Sequence, residues 1–126
     1  AYEDALTGLP NRAKLRERLA EALSDRARTG APLAVLVLDL DRFREVNDTL
    51  GYAAGDEVLR QVAARVGSLL RPTEILARLG GDEFAILLPS GTAARAERVA
   101  RDILKALETP LLLEEQPVDV GGSLGI

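Results

Sequence analysis

Apolar positions recur along the chain with two different periods, and the switches between them mark out the elements. Leu15, Leu19, Ala22 and Leu23 repeat at helical spacing behind the turn of residues 9–12, where Asn11 suits an N-cap, and Thr29-Gly30-Ala31-Pro32 ends the run. Residues 33–39 form a continuous apolar stretch closing on Asp39, whose length and valines predict a strand buried on both faces. Phe43, Val46 and Leu50 trace a short helix that stops at Gly51, and Val58, Val62, Val66 and Leu69 trace another that stops near Arg71-Pro72. Two short apolar runs, 75–79 and 84–88, flank Gly80-Gly81 and predict a β-hairpin. Ala96, Val99, Ile103 and Leu107 mark a further long helix, and a final strand begins near Val118. The order α-β-α-α-β-β-α-β, free of repeats and linkers, predicts one domain over residues 1–126, of the α/β (α+β) class, with helices covering a central sheet.

Composition narrows the chemistry. A chain of 126 residues buries roughly two thirds of its unfolded surface and needs no covalent staple. It has no cysteine and no histidine, which excludes disulfides, zinc fingers, thiol catalysis and any imidazole step. Its lysines, Lys14 and Lys105, follow no glycine-rich phosphate loop. Carboxylates, arginines, hydroxyls and backbone amides remain, so a metal here is a hard, oxygen-liganded one, Mg²⁺ or Mn²⁺. A net charge of −4 with 3% aromatics argues against nucleic-acid binding. The longest apolar run, Leu33–Leu38, is too short to span a bilayer, and no signal-peptide pattern opens the chain. The expected location of the domain is the cytoplasm, without membrane contact of its own and with a membrane-anchored parent compatible. The lack of methionine, even at position 1, reads as a fragment of a longer polypeptide.

Three segments carry candidate chemistry. In the first, a strand delivers Asp39 at its C-terminal end, just before a helix N-terminus whose free amides and positive dipole suit phosphate. In that helix Arg44 and Asn47 lie three apart on one stripe, a cation for phosphate and an amide for a base, although Asp39 and Asp41 could instead merely cap the helix. The second is Arg78-Leu79-Gly80-Gly81-Asp82-Glu83-Phe84. Its glycines let a ligand approach the backbone, and alternation along a strand would turn Asp82 and Glu83 to opposite faces, one toward a metal and one toward a sugar. A plain Gly-Gly turn with solvated acids is the alternative. In the third, Gly51 to Glu57, Asp56 is either a first-turn acid of the next helix or an acceptor for the paired N–H donors of a guanine edge.

The chain resembles the GGDEF family, the diguanylate cyclase domains of bacterial signalling proteins. The matches are DALTGLPNR at 4–12, LDLDRFREVNDTLG at 38–51, AAGDEVLRQVA at 53–63, RLGGDEFAILLP at 78–89 and SLGI at 123–126, in the family's order and spacing. The resemblance implies a palm-like nucleotidyl-cyclase sheet and the condensation of two GTP into cyclic di-GMP with release of pyrophosphate. By matching position, Asp39, Asp82 and the carbonyl of Leu40 would hold the metal, and Glu83 would sit by the attacking 3′-hydroxyl or a second metal. Asn47 and Asp56 would read guanine, with Phe43, Gly80 and Gly81 also in the binding surface, and amides from Asp41 to Arg44 would cradle the terminal phosphates. Each domain holds one GTP, so a two-fold homodimer is implied during turnover.

The departures are specific. Arg44 stands where the family usually has lysine, and Tyr52 where it has histidine. The chain stops at Ile126, before the family's last helix, so weaker nucleotide binding and an incomplete C-terminal part of the domain are expected. Arg71-Pro72-Thr73-Glu74 has glutamate where the family's product-binding site has aspartate, which predicts weak or absent product inhibition; alternatively Arg71 only serves a helix C-terminus. The competing function is a GTP-binding regulatory module without chemistry, attached to a phosphodiesterase (EAL) domain. An adjacent sensor domain is the other partner the resemblance implies.

Overall fold

The computed structural model describes residues 2–113 and 116–125; Ala1, Glu114, Glu115 and Ile126, the last of the SLGI match, lie outside the described residues. The elements are α1 (Arg12–Thr29), β1 (Leu33–Leu40), α2 (Phe43–Leu50), α3 (Tyr52–Gly67), β2 (Ile75–Gly80), β3 (Glu83–Pro89), α4 (Ala93–Glu108), β4 (Leu111–Leu113), β5 (Gln116–Val118) and β6 (Gly122–Gly125). Caps set the helix bounds. Asn11 Oδ1 accepts from the Lys14 amide at 3.1 Å to start α1, Gly30 at φ 75° ends it, and Thr92 accepts from the Arg95 amide at 3.1 Å to start α4.

The main sheet runs β2-β3-β1-β6, and every pairing in it is antiparallel. On one face Leu36, Leu38, Leu40, Leu76, Phe84, Ile86 and Leu88 pack against Val46 of α2, Val58 and Val62 of α3, and Val99 and Ile103 of α4. On the other face α1 lays Leu15 and Leu19 over Ala77, Ala85 and Leu87. β1 is therefore not buried on both faces throughout. Leu36, Leu38 and Leu40 are buried while Val37 is 38% exposed, because α1 packs on Leu33 and Val35 and leaves the end of the strand open.

The end of the chain also departs from expectation. Val118 does not begin a strand of the main sheet; it closes β5, which pairs only with β4, and the last strand of the main sheet is β6. The signal for β4 is one alternation, Leu111 and Leu113 buried around exposed Leu112, too short to read as a period. Contacts distant in sequence hold it: Gln61 donates to the Leu112 carbonyl at 2.6 Å, and Arg65 to the carbonyls of Ala106 and Pro110 at 3.0 and 3.3 Å. α3 ends at Gly67, four residues before Arg71, so Arg71 does not serve that helix terminus.

Candidate active site

Antiparallel pairing sets Asp39 of β1 directly opposite Glu83 of β3, on the same sheet face and past the cover of α1. Cα atoms of opposed residues lie about 4.5–5.5 Å apart, and like charges so placed destabilise a sheet. Asp82 sits in the turn, where Gly80 and Gly81 adopt φ 143° and 51°. Strand alternation therefore does not govern it, and only Glu83 lies in β3. The Asp82 carbonyl accepts from the Leu40 amide at 3.2 Å, which ties the turn to the end of β1. None of the three carboxylates has an ion pair or side-chain hydrogen bond among the described residues. No three acidic side chains there gather closely enough to hold a metal by themselves. The donor set is nonetheless all oxygen, and Mg²⁺ characteristically takes one or two carboxylates and completes its shell with water and substrate phosphates.

Between β1 and α2 the chain turns at Arg42, a non-glycine residue in the left-handed region at φ 62°. Arg42 is the N-cap residue and no side chain caps α2, so neither Asp39 nor Asp41 has the capping role. The first-turn amides of α2 have no partner within the helix and are open to an anion. The Asp41 amide is not among them. It donates to the Gly121 carbonyl at 2.8 Å, and Asp41 Oδ1 accepts from the Ser123 hydroxyl at 2.8 Å, so Asp41 is bound to the start of β6. Arg44 is exposed and has no protein partner among the described residues, while Phe43 packs against the larger core.

α3 starts at Tyr52, which places Asp56 in its second turn and rules out a first-turn helix acid. Gly55, which reads as a loop residue, is buried inside the helix: a Cβ there would stand 1.8 Å from Asn47 Oδ1. The missing side chain lets the Asn47 amide of α2 lie against the α3 backbone at Gly55. Asn47 Oδ1 is buried with no donor among the described residues, an orphaned acceptor, and Asp56, the residue after Gly55, is half-buried. A cleft of about 540 Å³ lies between Leu50, Ala53, Ala54, Glu57, Leu112, Leu113 and Val118, and neither Asn47 nor Asp56 lines it.

Arg71 and Glu74 precede β2 and are thus separated from the Gly80-Gly81 turn by the length of that strand, roughly 17 Å. Both Glu74 carboxylate oxygens are taken by Arg95, at 2.9 and 2.6 Å, and Oε1 also accepts from the Arg71 amide at 2.8 Å. The Arg95 hydrogen bonds hold the Glu74 carboxyl below its usual pKa against the opposing effect of burial.

Two residues that the sequence offered no role stand out beside the hairpin. Arg78 Nε and NH2 donate to the Gly81 carbonyl at 3.2 and 3.0 Å, and NH1 pairs with Asp4 Oδ1 at 3.0 Å. Burial alone would push the Asp4 carboxyl up, but hydrogen bonds from Thr7 and the Arg78 charge outweigh it and hold Asp4 below its usual value. Both residues fall inside quoted motifs, but 74 positions apart, and no local pattern announces that they touch.

The fold is a mixed helix and antiparallel-sheet domain in which a carboxylate-bearing Gly-Gly hairpin faces an aspartate at a strand end. The family model described as "Diguanylate cyclase, GGDEF domain" matches residues 1–126, and the chain belongs to that family. It is 48% identical over 116 residues to diguanylate cyclase TpbB of Pseudomonas aeruginosa, covering 91% of this chain and 27% of that protein. It is 41% identical over 128 residues to diguanylate cyclase DgcP of the same species, covering all of this chain and 19% of DgcP. A solved structure of TpbB comprising only its GGDEF domain superposes with a TM-score of 0.93 at 46% identity, over 98% of this chain and 73% of that one. The chain thus spans about a quarter or less of the curated relatives it matches.

Proposed function

We propose that the chain supplies one half of a diguanylate cyclase active site. The observation that carries this reading is the facing pair Asp39 and Glu83, joined by Asp82 through the Leu40 amide and left without a basic partner among the described residues. A fold that holds like charges together in this way leaves a place for a divalent cation and a polyphosphate. Asp39, Asp82 and the Leu40 carbonyl would hold Mg²⁺ or Mn²⁺, which when bound neutralises phosphate charge and lowers the pKa of an alcohol. Glu83 lies beside the position of the 3′-hydroxyl. The first-turn amides of α2 and the Arg44 guanidinium bind the terminal phosphates, the arginine as a planar fork where the family's lysine is a point charge. Asn47 and Asp56 accept the N–H donors of guanine.

The reaction joins the 3′-oxygen of one GTP to the α-phosphorus of the other and releases pyrophosphate, twice, to close the ring. Phosphoryl transfer of this kind depends mainly on positioning and charge stabilisation, which this carboxylate and amide set provides without histidine. The intact carboxylate set favours turnover over a regulatory module without chemistry. Each domain holds a single GTP, so two domains face each other across a two-fold axis during the reaction. Cyclic di-GMP binds poorly at Arg71, because the neighbouring acid is already committed to Arg95. The domain has no helix among its described residues long and apolar enough to cross a membrane, and a cytoplasmic location fits a GTP substrate. A dilution series tests the half-site arrangement: specific activity rises with protein concentration until the dimer is saturated. A rate strictly first order in protein across the whole series contradicts it.

A further inference from the structure

We propose that Arg78 is a positioning residue for the reactive turn, and that Asp4 holds Arg78 in place. The inference rests on the reading that Asp82 and Glu83 act on GTP.

The turn has little to fix it locally. Gly80 and Gly81 both take positive φ, no atom lies within 4 Å of where their Cβ atoms would be, and the β2–β3 register shifts between Arg78 and Gly80. Glycine in such a setting samples many backbone states. Against this, the Arg78 side chain is 15% exposed and two of its nitrogens converge on the Gly81 carbonyl. That oxygen belongs to the peptide plane shared with the Asp82 amide. Fixing the plane fixes the exit direction of Asp82 and the entry into β3, where Glu83 meets Asp39.

The third arm of the guanidinium reaches Asp4, and Asp4 is itself tied down. Its amide donates to the Leu9 carbonyl at 2.7 Å, its carbonyl accepts from Gly8 at 2.8 Å, and its Oδ2 accepts from the Thr7 amide and hydroxyl at 2.9 and 2.7 Å. The Arg78 amide completes the tie by donating to the Pro10 carbonyl at 3.0 Å. The turn of residues 4–10 and the reactive hairpin therefore form one hydrogen-bonded unit through a single residue, Arg78, by its side chain and its amide. The fold does not depend on this fork, because Phe84, Ile86 and Leu88 bury β3 independently. Lysine at position 78 keeps the charge opposite Asp4, but a point charge does not place two donors on one carbonyl while holding the carboxylate.

Arg78→Lys and Asp4→Asn are compared with the unaltered domain by amide hydrogen exchange and by steady-state kinetics with GTP and Mg²⁺. The expected result is faster exchange confined to residues 80–83 in both variants. With it, kcat falls roughly tenfold to a hundredfold while KM for GTP stays unchanged, the loss that misplacing reactive groups by about 1 Å produces. Unchanged exchange across the turn overturns the proposal, as does a raised KM at constant kcat. If the unaltered domain makes no cyclic di-GMP, the proposed function fails. The exchange data then still decide the structural half: a loosened turn upholds the Arg78 clamp and an unchanged one overturns it.

Discussion

Gly55→Ala separates nucleotide recognition from stability. The added Cβ would stand 1.8 Å from Asn47 Oδ1 and 2.9 Å from its Cγ, where such contacts essentially never fall below 3.0 Å, so the amide retreats by more than 1 Å. A side chain with two torsions does this only by leaving its rotamer well. The stability terms oppose one another weakly. Alanine is better than glycine inside a helix by about 0.5–1 kcal/mol, and Asn47 Oδ1 surrenders no hydrogen bond because it has none. Displacing the Asn47 side chain costs about 0.5–1.5 kcal/mol, so the net change stays within about 1 kcal/mol of zero and shifts Tm by at most a few degrees in a domain of this size. Binding moves the other way. A bound guanine loses the Asn47 hydrogen bond, about 1–1.5 kcal/mol, or close to tenfold in Kd. Calorimetric titration with a non-hydrolysable GTP analogue and Mg²⁺ measures the affinity, differential scanning calorimetry measures Tm, and Asn47→Ala is the reference for complete loss. Unchanged affinity together with a raised Tm refutes the placement of Asn47 at the base. A fall in Tm of many degrees refutes the claim that only the amide yields.

Two further expectations bear on an ion pair remote from the hairpin and on the turn before α2. Glu74→Gln breaks the charged fork onto Arg95 and lowers unfolding free energy by about 2 kcal/mol in urea titrations near neutral pH. The folded-state pKa of Glu74 is depressed, so its contribution is present above the unfolded pKa, near 4.5, and is lost as pH falls through the folded value. The difference between variant and parent should shrink across that window, and a gap constant down to the lowest accessible pH contradicts the assignment. Arg42→Gly relieves a left-handed conformation costing about 1 kcal/mol in a residue with a Cβ, so the domain is expected to gain about 0.5–1 kcal/mol. A loss in the same titration shows that Arg42 makes a stabilising contribution its backbone does not reveal.

The parts legible in the sequence share one feature, local periodicity. α1, α4, the strand ending at Asp39 and the Gly80-Gly81 hairpin each carry a run or repeat of their own, and the structure places these elements where they were read, although β1 is not buried on both faces. Asp39, Asp82 and Glu83 were within reach for that reason, since a strand end and a hairpin tip are positions that alternation and turn chemistry locate. The start of α3 was not, because Gly55 looks like a breaker and its real function is to make room for a side chain from another helix. The β4–β5 pair is too short to show a period, and Gln61 of α3 holds it by donating to the Leu112 carbonyl. Arg78 with Asp4, and Arg95 with Glu74, join positions 74 and 21 residues apart, and pairing of this kind is a property of the packed fold. Asp41 illustrates the same limit: its motif position suggests phosphate, while its amide and one carboxylate oxygen are already engaged with the start of β6.

The central claim is that the carboxylates gathered at the hairpin perform nucleotidyl transfer between two GTP molecules. It is tested by incubating the domain at high concentration with GTP and Mg²⁺, resolving the nucleotides by chromatography, and repeating the incubation with Glu83→Gln. The account predicts cyclic di-GMP and pyrophosphate from the parent and neither from the variant, with Mg²⁺-dependent GTP binding retained in both. Unchanged GTP at concentrations where the parent is dimeric, or equal product from the variant, contradicts it.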